Sequence, residues 1–202
     1  MRGNIVLQNA VSPIIHSPQT KLGNGITLIG GKPDKEVARV IEPTGEARIE
    51  LVQVSEGGAF SWVEGNTLHV MIDLKAGAKS QYASTVADSF SGKLDWVYQE
   101  EIYGRGNFQA AWWSPTANHL AWLELDESEV MEFTVVDHIE DGNFRVKSEV
   151  YNYPKVGDPN PTVQIFVGDF AKSSVKALAL DLKEYDRQET LVTRVMWTPD
   201  GS

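Results

Sequence analysis

The stretch Trp112-Trp113-Ser114-Pro115-Thr116-Ala117-Asn118, running on into His119-Leu120-Ala121-Trp122-Leu123-Glu124-Leu125, reads as an aromatic strand, a tight turn and a second strand. Proline presets φ at the first corner of such a turn, and Asn, Asp or Gly tolerates the left-handed corner that reverses the chain. The same order recurs twice. Phe60-Ser61-Trp62-Val63-Glu64-Gly65-Asn66 leads into Leu68-His69-Val70-Met71-Ile72, and Met196-Trp197-Thr198-Pro199-Asp200-Gly201 stands near the C-terminus. Repeats of roughly 40–50 residues mark the blades of a β-propeller. Trp62 and Trp113 are 51 residues apart and Trp113 and Trp197 are 84 apart, so the second unit must carry an insertion. Three such marks predict roughly two blades and the opening of another, each a four-stranded antiparallel sheet.

Further from this stretch the chain keeps the same character. Short runs of β-branched and aromatic residues at 26–29, 48–52, 68–72, 133–136 and 163–167 are separated by Gly, Asn, Asp and Pro, and these read as strands. Helical periodicity is confined to possible short turns at 95–103 and 175–185. Gly23-Asn24-Gly25 followed by Gly30-Gly31 lacks the spacing of a phosphate loop and opens no helix, so a hairpin is the better reading. The predicted class is all-β, a partial β-propeller.

Of 202 residues, 42% are hydrophobic and 23% charged, the balance of a globular chain with one good core. The formal net charge of −10 disfavours nucleic acid and anionic membrane surfaces, both of which need a basic footprint. Cysteine is absent, which excludes disulfides, thiolate metal sites and a thiol nucleophile. The four histidines, His16, His69, His119 and His138, have no metal-site spacing, and the acidic turns Asp126-Glu127-Ser128-Glu129 and Glu140-Asp141-Gly142 lack that of a calcium loop. Solvation is the expected role of those turns, and neither a metal nor a cofactor is expected. No run approaches the roughly 20 apolar residues of a membrane span, and no signal-peptide core is present.

The chemistry gathers at Leu94-Asp95-Trp96-Val97-Tyr98-Gln99-Glu100-Glu101. Adjacent carboxylates repel one another, and beside a Trp and a Tyr they suit a pocket for a cation better than an ordinary surface turn. A solvated acidic helix start is the competing reading of Glu-Glu alone. Consecutive residues on a helix point about 100° apart, so both groups reach one cavity only if the pair sits on a turn at its wall.

From Gly92 to Ser202 the chain resembles the propeller domain of dipeptidyl peptidase IV, the exopeptidase branch of the prolyl oligopeptidase family of serine peptidases. Five motifs carry the resemblance in order: LDWVYQEE at 94–101, WWSP at 112–115, LDESEV at 125–130, YPKVGDPNPTV at 153–163 and VMWTPDG at 195–201. Residues 54–91 match in style, and residues 1–53 form a β-rich segment that no motif assigns. The resemblance implies that Glu100 and Glu101 bind the free amino terminus of a peptide, with Tyr103 beside them. Gln99 stands where the family often has Glu, a departure that leaves the pair itself intact. The family's carbonyl-binding Arg is not assignable to any residue here, and an exposed, idle role is expected for Arg105.

Further implications concern what surrounds this part. The family's Ser, Asp and His lie on an α/β-hydrolase domain after the propeller, and no G-x-S-x-G elbow occurs in the chain, so no residue here is expected to be catalytic. The implied whole is a dipeptidyl peptidase, exported or periplasmic, of which 54–202 is a partial propeller. The neighbourhood of 151–163 corresponds to an extended arm that reaches a second subunit, which suggests a homodimer, although an ordinary long loop reads equally well. A binding or scaffold propeller without hydrolase activity is the alternative.

Overall fold

The computed structural model describes residues 14–16, 26–32, 35–44, 47–73, 76–77, 79–82, 88–116, 119–137, 146–170, 174–178, 186 and 189–201. His138, Glu140 and the helical expectation for 179–185 lie outside the described residues. The architecture is a series of antiparallel sheets. Strands β1 (Ile14–His16), β2 (Ile26–Lys32) and β3 (Lys35–Ile41) form a three-stranded sheet in that order, with Lys32 opposite Lys35 as a hairpin requires. Gly30 and Gly31 lie within β2 rather than at its turn.

Next comes a four-stranded meander, β4 (Ile49–Val54), β5 (Phe60–Glu64), β6 (Thr67–Met71) and β7 (Lys79–Tyr82). The Glu64–Thr67 reversal passes through Gly65 and Asn66, as its turn residues predict. A register shift between Glu50 and Gln53 places Leu51 in the left-handed region, the geometry of a β-bulge.

The second blade is built differently. Its long strand β10 (His119–Asp126) pairs with β13 (Thr162–Asp169), which pairs with β14 (Ser174–Ala177). The other edge of β10 is shared by two short strands, β8 (Ser89–Ser91) opposite Glu124–Asp126 and β9 (Ala111–Trp113) opposite Leu120–Trp122. Leu123 bridges them: its carbonyl accepts from Gly92 N at 3.0 Å and its N–H donates to Ala110 O at 2.9 Å. One edge strand is thus interrupted, and residues 92–110 leave and re-enter it at neighbouring points. Val175 sits in β14 opposite Gly168, which corrects the helical expectation at 175–177; an available sheet edge outweighed a weak local preference.

The insertion demanded by the long repeat spacing lies between β10 and β13. It begins as the hairpin β11 (Glu132–Asp137) with β12 (Lys147–Asn152) and returns through 153–161. Both strands are largely exposed, including Phe133, Val135, Val136 and Val150.

Side chains alternate to join these sheets in layers. Phe60 and Trp62 point one way from β5 into a cluster with Ile41 and Met71, while Val63 points the other way. Val63, Leu68 and Val70 of the first blade meet Ala111, Leu120 and Trp122 of the second. From the opposite face of β10, Leu123 and Leu125 join Leu94, Tyr98, Ala110 and Val163, with Val192 and Val195 laid over them. Strand β10 is buried on both faces, which is why it reads as a nearly continuous apolar run.

The tryptophan repeat has a structural meaning. Trp113 donates its indole N–H to Ser61 Oγ at 3.0 Å, and Trp197 donates to Trp112 O at 2.9 Å. Ser61 directly precedes Trp62, and Trp112 directly precedes Trp113. Trp113 and Trp197 each therefore reach back to the equivalent position of the unit before, the arrangement of a partial β-propeller.

Candidate functional site

Residues 92–110 carry the candidate site, and their base is fixed first. Leu94 N donates to Phe108 O at 2.9 Å and Ala110 N to Gly92 O at 3.2 Å, while Lys93 bridges to Glu50 of the first blade. Gly92 has φ of +76°, and a Cβ there would stand 2.9 Å from Leu68 Cδ1. Only glycine fits this exit.

Beyond the base, Asp95 starts a helical segment of residues 96–102. Its carboxylate accepts Tyr98 N at 2.9 Å and Val97 N at 3.3 Å, as a helix N-cap does. The segment then widens into the π-helical turn Tyr98–Ile102, closed by Tyr103 N donating to Tyr98 O at 2.8 Å. Single π-turns are rare and are found frequently at functional sites. Aromatic packing explains why it holds here: buried Tyr98 faces Tyr103 at 6.3 Å, and Tyr103 stacks on Trp112 at 6.0 Å. The Tyr98 hydroxyl accepts Val192 N at 3.3 Å, and burial pushes its pKa up to about 12.

This turn presents Glu100 and Glu101. The Glu100 side chain is 14% exposed and pairs with the Arg105 guanidinium, itself 84% exposed. Arg105 is as exposed as expected, yet it has a partner. Glu101 faces solvent. Gln99 is buried and its Oε1 accepts Gly106 N at 2.8 Å, so the residue that departs from the family pattern ties the Gly104–Gly106 tip to the turn. Tyr103 lies at the end of the turn with its hydroxyl buried and unpartnered, and burial raises its pKa.

Two carboxyls have roles that the chemistry of the motifs did not suggest. Asp95 is 1% exposed and Glu127 7% exposed, and they share a side-chain hydrogen bond. Burial raises both pKa values, and with the added charge of Asp95 it carries Glu127 to about 8. The expected solvation of 126–129 therefore fails at Glu127, because the turn after β10 folds under the base of 92–110. An Asp placed three residues before the amide of Tyr98 is a readable N-cap signal; nothing local marks Glu127.

Residues 151–153 also meet the segment that carries the candidate site. Trp96 packs edge-on against Tyr153 at 4.7 Å and lies 6.3 Å from Tyr151, while Lys155 sits over Phe133 at 4.8 Å. Among the described residues no three His, Asp or Glu side chains gather as a metal site, and no helix is long and apolar enough to cross a membrane.

Known proteins are similar to this chain in sequence and fold. Dipeptidyl aminopeptidase B of Saccharomyces cerevisiae is 35% identical over 119 residues, covering 56% of this chain and 14% of the yeast protein. The crystal structure of Porphyromonas gingivalis dipeptidyl peptidase 4 superposes with a TM-score of 0.59 at 22% identity, over 82% of this chain and 25% of that one. A Bacteroides ovatus structure assigned as a dipeptidyl aminopeptidase IV gives a TM-score of 0.62 at 17% identity, over 94% of this chain and 23% of that one. This chain thus spans a small part of each relative's length. The family model of the dipeptidyl peptidase IV N-terminal region matches residues 31–202, and with the interrupted edge strand and the tryptophan register already in place, the chain belongs to that family.

Proposed function

We propose that this chain is the substrate-binding propeller portion of a serine dipeptidyl peptidase, with Glu100 and Glu101 anchoring the α-ammonium of a peptide whose N-terminal dipeptide, Xaa-Pro or Xaa-Ala, is released. The observation that carries this reading is the presentation of both carboxylates on a π-helical turn held by a buried cap and an aromatic stack. An α-ammonium has a reference pKa of about 7.7–8.0 and is substantially charged at neutrality. Each carboxylate contact at ~4 Å is worth on the order of 4 kcal/mol before desolvation at an effective dielectric of 20. Fixing that end of the peptide lets the site count residues, since each residue spans ~3.3–3.6 Å of chain. Tyr103 flanks the anchor as an aromatic wall.

The chemistry itself belongs, on this reading, to an α/β-hydrolase domain of the whole protein, and no catalytic residue is assigned here. The exposed apolar residues of β11 and β12 suit a homodimer contact made by the arm. The test is kinetic. In the intact enzyme, Glu100→Gln or Glu101→Gln should lower kcat/KM for a free-amine Xaa-Pro substrate by about ten- to a hundredfold, the loss of one charge-assisted hydrogen bond. An N-acetylated substrate, having no ammonium, should be unaffected; equal losses on both would make the glutamates structural.

A further inference from the structure

Glu127 lies outside the anchor motif, yet it is buried against the residue that caps the anchor's helical turn. Its backbone is fixed on three sides: its N–H donates to Asp88 O at 3.1 Å, and its carbonyl accepts Val130 N at 2.8 Å and Asn152 Nδ2 at 3.4 Å. Asp95 commits both carboxylate oxygens to backbone amides. An acceptor so placed holds its amides best when ionised, while a second ionised carboxylate buried beside it would repel it. We propose that Glu127 is a positioning residue for the Glu100–Glu101 turn, donating its carboxyl proton in a hydrogen bond to Asp95 so that Asp95 remains an ionised cap on Val97 and Tyr98. The inference rests on the anchor reading and adds a residue that acts through another.

The surroundings favour this protonation pattern. Among the described residues no ion pair joins either carboxyl to a cation, and the other titratable groups facing the pair are Asp88 and Tyr98. Asp88 raises Glu127 further, and the Tyr98 phenol is neutral through the working range. When Glu127 does ionise, the new charge has nowhere to go but against Asp95, and the first turn of the anchor loosens. Through its backbone carbonyl, which accepts from Asn152 Nδ2, the same residue also holds the end of β12.

The experiment measures binding of a free-amine dipeptide, Val-Pro amide, to the full 202-residue chain by titration calorimetry, with N-acetyl-Val-Pro amide as control. Wild type, Glu127→Gln and Glu127→Ala are compared at pH 6.5 and pH 9, and the ratio between variants at each pH cancels the ligand's own titration. Gln keeps an N–H donor and cannot ionise. It should bind within about twofold of wild type at pH 6.5 and severalfold more tightly at pH 9, whereas Ala should bind about tenfold more weakly at pH 6.5, having lost a hydrogen bond to a charged group. If Glu127→Ala does not fold, the crossover of wild type and Glu127→Gln between the two pH values still decides. Discrimination of amine from acetyl with no pH-dependent difference between wild type and Glu127→Gln overturns this inference alone. Failure of wild type to discriminate amine from acetyl overturns the anchor, and this inference with it.

Discussion

At the scale of single residues, the excursion that bears the glutamates depends on positions that permit no substitute. Gly92 combines a left-handed backbone with a Leu68 methyl in the space a Cβ would occupy. Gly92→Ala should therefore destabilise the chain by about 1–3 kcal/mol, read as a lower urea midpoint. Arg105 is a different case, because its guanidinium is almost fully exposed while its partner is not. It is the counter-ion of Glu100 in this structure, and on the proposed anchor reading a peptide ammonium would have to displace it. Exposed ion pairs are worth roughly 0.2–1 kcal/mol, so Arg105→Ala should tighten binding of a free-amine dipeptide by up to about fivefold. Weaker binding in that variant would mean that Arg105 contacts the ligand itself.

The elements raise the question of how a blade can give up part of an edge strand to carry the Glu100–Glu101 turn. Strands β8 and β9 survive as short pieces because Leu123 bonds Gly92 and Ala110, the residues that flank them, and because β10 is covered on each face. Trp122, stacked on Phe166 at 5.5 Å, stands at the seam between the two blades. Trp122→Ala should cost about 3–5 kcal/mol, and thermal melts should show both sheets lost in one transition; a melt that splits into two would make the blades independent. The Asp95–Glu127 pair adds a pH dependence. An unfolded Glu releases its proton near 4.5 and the folded one near 8, so between these values the native state holds a proton that the unfolded state has lost. Stability from this group falls as pH rises through that window and levels above it, and Asp95, also raised, contributes with the same sign. Melting temperatures of Glu127→Gln measured from about pH 5 to 8.5 should accordingly decline less than those of wild type.

Considered whole, the chain stacks its sheets in a row, from β3 on the first blade to the 189–201 segment on the second. Leu191 and Met196 remain exposed at one end and Phe133, Val135, Val136 and Val150 along the β11–β12 hairpin. Uncovered sheet edges and apolar surface favour association, so light scattering should show oligomers growing with concentration. A clean monomer at high concentration would show that these surfaces are inert.

What the sequence by itself determined is local or periodic: strand against turn, the aromatic-turn repeat with its long second interval, the helical turn at 95–103 and the adjacent glutamates upon it. Period and turn chemistry are properties of neighbouring residues, so they can be read along the chain. Only the tertiary structure decided which acidic turn is solvated and which is buried, that Arg105 meets Glu100, that 175–177 completes a sheet, and that two short strands are one edge interrupted. Each of these depends on residues distant in sequence. Glu127 reads like its neighbours Ser128 and Glu129, and it differs because the fold sets Asp95 beside it and removes water from both.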